Sequence, residues 1–285
     1  LALLAQGKFT QAIPANKISA KLTPLWAAPV NNNASILQQR GSLVEAYQTN
    51  IEAIQIEVKD PIPYVHLGNT FRDMVMPEHA LKAYQQGMLL KPDYLLAQND
   101  LAKFYSNQQQ YDKSLTIINQ LLARDPVNSR ALYNGGLSHL MLDQHTQAIA
   151  FFERASISMG SRYPLHARVR LAILQNDAAL LDSARLAVEK TIAQGDEWSS
   201  YAYLLSLIHL HQGKEQGQGQ EQALSAFQQA ESSGFSDYRL AQKDPMLAAL
   251  QTHPDFILLV NQISVRVAGM REQVIKLESI RAARH

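Results

Sequence analysis

Cysteine is absent from the 285-residue chain. Its absence excludes disulfides, thiolate metal sites and a cysteine nucleophile together. It leaves the compartment open, because a cysteine-free chain suits cytoplasm and periplasm alike. No apolar run reaches the roughly 18 residues of a membrane-spanning helix, and no charged-then-apolar leader is visible. Charge is scarce: charged residues make up 18% and the formal net charge is +1. So neutral a balance carries no polyanion signal and speaks against nucleic acid as a main partner.

Signatures of catalysis are missing as well. There is no H-E-x-x-H, P-loop, G-x-S-x-G or G-x-G-x-x-G motif. The Gly213-Lys214 pair lacks the upstream glycine and the following Ser/Thr of a phosphate loop. His209 and His211 are two apart on an expected helix, so they point roughly 200° apart and cannot chelate one ion. His139 and His145 straddle a turn, and His139 occupies a position of core type. The remaining carboxylates are scattered over helix surfaces. The expectation is a non-enzymatic chain that holds no metal and no cofactor.

What the chain does have is 46% hydrophobic residues, enough for a folded core, and a repeating pattern. Between Pro61 and Tyr94, the residues Tyr64, Leu67, Gly68 and Phe71 are followed by Ala80, Tyr84, Gly87 and Pro92. Small Gly68 and Ala80 allow two antiparallel helices to approach closely, with Tyr64, Phe71 and Tyr84 filling the space beside them. Pro92 then stops the second helix. The pattern returns without a gap. The small residue of the second helix reads Ala12, Ala46, Ala80, Ser114 and Ala148, and that of the first helix reads Ala34, Gly68, Ala102 and Gly136. The terminating site reads Pro24, Val58, Pro92, Pro126 and Gly160, while Asn16 and Asn50 replace the apolar residue found later at Tyr84, Ile118 and Phe152.

This spacing resembles the 34-residue helix–turn–helix unit of the tetratricopeptide repeat (TPR) family. The resemblance covers most of the chain and implies an all-α solenoid wound as a right-handed superhelix. Three sections are expected. Residues 1–162 form a regular array whose first repeat is truncated, with Gly7 in its turn; the start at Leu1 reads as that of a fragment. Residues 163–236 hold two degenerate repeats, with the Gly/Gln-rich stretch Gly213–Gln222 as an inserted mobile loop. Residues 237–285 form a C-terminal helical cap. There Asp244-Pro245 reads as a helix start, and Thr252-His253-Pro254-Asp255 as a capping box. A long helix from about Asp255 to Arg281 carries Phe256, Val260, Ile263, Val267, Met270, Val274 and Leu277 at heptad spacing. Its first half is expected to cap the last repeat, and its Val267–Leu277 half to project outward and pair with a second copy. The DPMLAALQTHPDF stretch before it is similar to endings of bacterial multi-repeat TPR proteins.

In TPR proteins the first helices line a concave groove that binds peptides or other protein surfaces. Carrying the inward positions over to this chain gives Asn31, Ser35 and Gln38, then Val65, Asn69 and Arg72. The next repeats supply Asn99, Lys103 and Ser106, then Arg130, Tyr133 and Leu137. Asparagine suits an extended peptide because its amide both donates to and accepts from a main chain. The family's chaperone-type carboxylate clamp is not matched. Its places read Asn31 and Ser35, His66, and Leu96 and Asp100, without the basic residues and with an aspartate expected to repel a carboxylate. The expected function is a protein-interaction scaffold with a peptide or protein partner. The alternative is a regulatory or substrate-guiding domain of a larger enzyme whose catalytic part lies elsewhere.

Overall fold

The structure, a computed structural model, describes residues 2–158, 162–213 and 218–283. Leu1, the expected terminator Gly160 and residues 214–217 of the Gly/Gln-rich stretch lie outside the described residues. Among those described there are sixteen α-helices and no strand.

Fourteen of these helices form seven successive hairpins. They are α1 (Ala2–Ala5) with α2 (Phe9–Leu22), α3 (Ala28–Gln39) with α4 (Leu43–Ile56), and α5 (Pro61–Asp73) with α6 (Pro77–Leu90). Next come α7 (Leu95–Asn107) with α8 (Tyr111–Arg124), and α9 (Ser129–Met141) with α10 (His145–Ser156). Then follow α11 (Tyr163–Gln175) with α12 (Ala178–Ala193), and α13 (Ser199–Gln212) with α14 (Gln218–Ser232). The chain ends in α15 (Tyr238–Lys243), a 3-10 turn (Pro245–Leu247) and the long α16 (Pro254–Ala282). Residues 218–222, expected to be loop, already belong to α14.

Local chemistry explains the hairpins. Asp60 caps α5 by accepting from Ile62 N–H at 2.9 Å, with Pro61 at the first helical position, where a missing N–H costs nothing. Within a hairpin the helices cross on small residues. A Cβ on Gly68 would stand 2.6 Å from the Tyr84 ring, and one on Gly136 would stand 2.5 Å from the Phe152 ring. These are the same clash two repeats apart. The turns repeat too: residues 7, 41, 75, 109 and 143, each 34 from the last, all adopt left-handed φ between 59° and 72°. Val75, Gln109 and Asp143 hold that conformation without being glycine. Gly7 and Gly41 are glycine for a different reason. A side chain at Gly7 would collide with Asp196 and Trp198, and one at Gly41 with the backbone of Gly234.

Those collisions mark where the array meets itself. Gly7 O accepts from Glu197 N–H at 3.0 Å, and Phe9 packs edge-on to Trp198 at 4.9 Å between ring centroids. The first hairpin therefore touches the loop between α12 and α13, closing the curve of first helices.

The C-terminal section straps the closure. Asp244 is fully buried and paired in two places with fully buried Arg170, and it accepts from Tyr203 OH at 2.6 Å and from Met246 N–H at 3.1 Å. The cap of α16 is His253, whose Nδ1 accepts from Asp255 N–H at 3.3 Å, not the expected Thr252. Along α16, Phe256, Val260, Ile263 and Val267 join the main core, with Phe256 4.8 Å from the Phe227 ring. The second half does not project outward as expected. Val274 is fully buried among Leu43, Tyr47, Phe71 and Met74 of the second and third hairpins, and Glu278 pairs with His79. The heptad seam is used up within the chain, because curvature brings α4 and α6 beneath it.

Candidate functional site

The first helices, in contact one after another from α3 to α13, wall a cavity of about 710 Å³. From α3 it is lined by Ser35, Gln38 and Gln39, from α5 by His66 and Asn69, and from α7 by Leu96 and Asp100. Arg130, Arg162 and Tyr163 continue the wall, and Asp196, Trp198 and Tyr201 with Leu4 and Ala5 complete it.

Of the twelve groove positions expected, Ser35, Gln38, Asn69 and Arg130 line this cavity. Asn31, Val65, Asn99 and Tyr133, which share one register position, do not; each is at most 7% exposed. Asn31 donates to Asp60 at 2.8 Å, and Tyr133 OH accepts from Arg170 Nε at 3.2 Å. A helix turns about 100° per residue, and it is the next position, His66 and Asp100, that faces the cavity. Arg72 is buried too, bonded to Asp73 at 2.8 Å and Asn69 at 2.8 Å, so it is no open-groove cation. Lys103 pairs with Asp237 at 3.7 Å, Ser106 lines a separate cavity of about 140 Å³ beside α15, and Leu137 packs on the main core.

The lining that sequence reasoning missed comes from the closure: Arg162, Tyr163, Asp196, Trp198 and Tyr201, together with Leu4 and Ala5. An aromatic residue opening α11 and α13 was the available signal.

Electrostatics divides the cavity. Asp100 is fully buried, accepts from Asn69 Nδ2 at 3.0 Å, pairs with Arg130 and lies 3.8 Å from Arg72 Nη1. Its charge is thus compensated from within, and it does not present the free aspartate expected to repel a carboxylate. Burial lowers the His66 pKa, and no hydrogen bond reaches its Nδ1 or Arg130 Nε. On the other side, the Arg162 guanidinium stacks 3.7 Å from the Trp198 ring centroid and 5.1 Å from that of Tyr163. Burial alone would raise the Tyr163 phenol, yet Arg130, Arg162 and Lys103 together hold it below its ordinary value. Burial and then Arg162 push His166, behind it, down to about 3. Asp196 is pushed up to about 6 by burial, against the opposing pull of the Trp198 N–H and Arg162.

Among the described residues no group of three His, Asp or Glu stands close enough to hold a metal ion, and no helix is long and apolar enough to cross a membrane.

The tetratricopeptide repeat family model matches residues 99–162, the stretch spanning α9 and α10 with most of α7 and all of α8. These residues carry tetratricopeptide repeats, within a chain of successive helical hairpins. Two solved structures share the TPR solenoid fold. The APC/C hetero-tetramer Cut9–Hcn1 aligns with a TM-score of 0.59 and 12% identity, over 92% of this chain and 47% of that one. The human IFIT1 dimer with m7Gppp-AAAA aligns with a TM-score of 0.58 and 16% identity, over 96% of this chain and 68% of that one. The chain thus spans about half the length of the Cut9–Hcn1 chain it matches. No curated protein sequence matches it.

Proposed function

We propose that this TPR array is a protein-interaction module whose inner cavity takes a short extended segment of a partner protein. The observation that carries this reading is the cavity's make-up: amides of Gln38, Gln39 and Asn69 beside Leu96, Trp198 and Tyr201. Amides that both donate and accept suit a main chain, and apolar rings suit its side chains. The cavity measures about 710 Å³. That volume lies within the range of roughly 300–1,000 Å³ typical of sites that enclose their ligand.

The test is a blocked cavity. A partner recovered with the intact chain is titrated against Ser35→Tyr, which fills the wall, and against Leu89→Tyr on the exposed outer side of α6. Circular dichroism first establishes that both variants keep the parent helicity. Ser35→Tyr is expected to weaken binding by about tenfold or more and Leu89→Tyr to leave it unchanged. The opposite pattern places the partner on the outer surface and overturns the reading.

A further inference from the structure

We propose that the segment bound in the cavity presents a carboxylate or phosphate group to Arg162. The proposal rests on the peptide reading above and names the chemistry of the partner at one corner.

Three features point to an anion there. The first is placement: Arg162 lines the cavity at the entry to α11 and is partly exposed. The second is the way it is held. Its guanidinium lies over the rings of Trp198 and Tyr163, and no carboxylate of the described residues comes within the 4.0 Å of an ion pair. By contrast Arg72, Arg130 and Arg170 are each matched to an aspartate. Aromatic faces orient a guanidinium and leave its edge N–H groups free to fork onto an oxyanion. The third is the field. A phenol buried at this corner is held below its ordinary pKa by the surrounding cations, so negative charge is favoured where Tyr163 stands. Asp100 is already matched to Arg72 and Arg130. Asp196 in the same lining attracts Arg162 but does not come close enough to pair with it. An incoming carboxylate or phosphate can bond the edge of the guanidinium directly, as no group of the described residues does.

The chain has two tryptophans, and Trp26 is exposed at the far end of α2, so Trp26→Phe leaves Trp198 as the sole reporter stacked on Arg162. Inorganic phosphate and acetate are titrated separately into this protein at constant ionic strength, with Trp198 fluorescence as the readout. A saturable change is expected with at least one of them, and the stronger response tells whether the partner's group is a phosphate or a carboxylate. Arg162→Met should weaken the response about tenfold or more, as befits loss of a charge-assisted bidentate contact; Arg162→Lys should retain part of it. A response that never saturates, or one that Arg162→Met leaves intact, overturns the proposal. The two readings fail separately. Loss of partner binding in Ser35→Tyr without any anion response sinks only the anion corner. An anion response with partner binding untouched by Ser35→Tyr sinks the peptide reading.

Discussion

Thr10 and Glu197, 187 positions apart, are joined by two hydrogen bonds of 2.9 Å. The Thr10 N–H donates to one carboxylate oxygen of Glu197, and the Thr10 hydroxyl donates to the other. The pair fastens the start of α2 to the loop before α13. It therefore holds the cavity closed on its N-terminal side.

Replacing Gly7 by valine should open this closure selectively. The left-handed backbone adds roughly 1–2 kcal/mol of strain but does not forbid a valine, since Val75 adopts φ 59° at the equivalent turn. The larger obstacle is collision with Asp196 and Trp198. Phe9, Ala12 and Ile36 form a small cluster apart from the main core, so opening should stay local. Amide exchange in α2 is expected to quicken about tenfold or more while that of α9 and α10 is unchanged. Unaltered protection of α2 would show that the contact contributes nothing.

Asp196 should make the closure pH-dependent. Its folded pKa of about 6 lies above the ordinary 3.8, so the fold favours the protonated carboxyl. That contribution is complete below pH 3.8 and is lost as the pH rises through 6. The Asp196→Asn variant, which keeps an acceptor for the Trp198 N–H, should be the more stable protein at neutral pH and gain no advantage near pH 4. Thermal melts of parent and variant across this range check it; a constant difference between them refutes the assignment.

Removing Asp244 should be far more damaging. Its side chain and that of Arg170 are both fully buried, and Asp244→Ala leaves the guanidinium without its counter-charge, at a cost of roughly 3–5 kcal/mol. Arg170→Met combined with Asp244→Ala should recover part of that loss, measured by urea unfolding. Burial tends to raise the Asp244 carboxyl, but Arg170, Tyr203 and the Met246 N–H outweigh it and hold the pKa below the ordinary value. Its stabilisation is therefore present at neutral pH and lost as the pH falls through the folded value. A double variant no better than the single one would mean that Arg170 is not the group left stranded.

Val274→Asp tests the strap formed by α16. The side chain is fully buried among residues of the second and third hairpins, and an isolated carboxylate there costs roughly 3 kcal/mol or more. The unfolding midpoint should fall accordingly, while Val265→Asp on the exposed side of the same helix should change little. Equal, small effects would show that the second half of α16 stands free of the array.

The sequence by itself determined what is local. The 34-residue spacing and the small residues at Gly68 and Gly136 act within one hairpin, so the TPR fold is legible from them. The wall of the cavity is legible only in part: the repeat spacing leads to Ser35, Gln38, Asn69 and Arg130, which line it, whereas Val65 and Asn99 stand one residue before His66 and Asp100, which do, and Asn31 and Tyr133 are buried. That step depends on how each hairpin is rotated against the next, which is set by packing between repeats. The rest was decided by accumulation. A small rotation repeated over seven hairpins brings Gly7 to Asp196, Gly41 to Gly234 and Val274 to Tyr47, and no short stretch of sequence records where such a curve closes. For the same reason Asp244 was readable as a helix cap, through Met246 two residues on, but not as the partner of Arg170, 74 positions away.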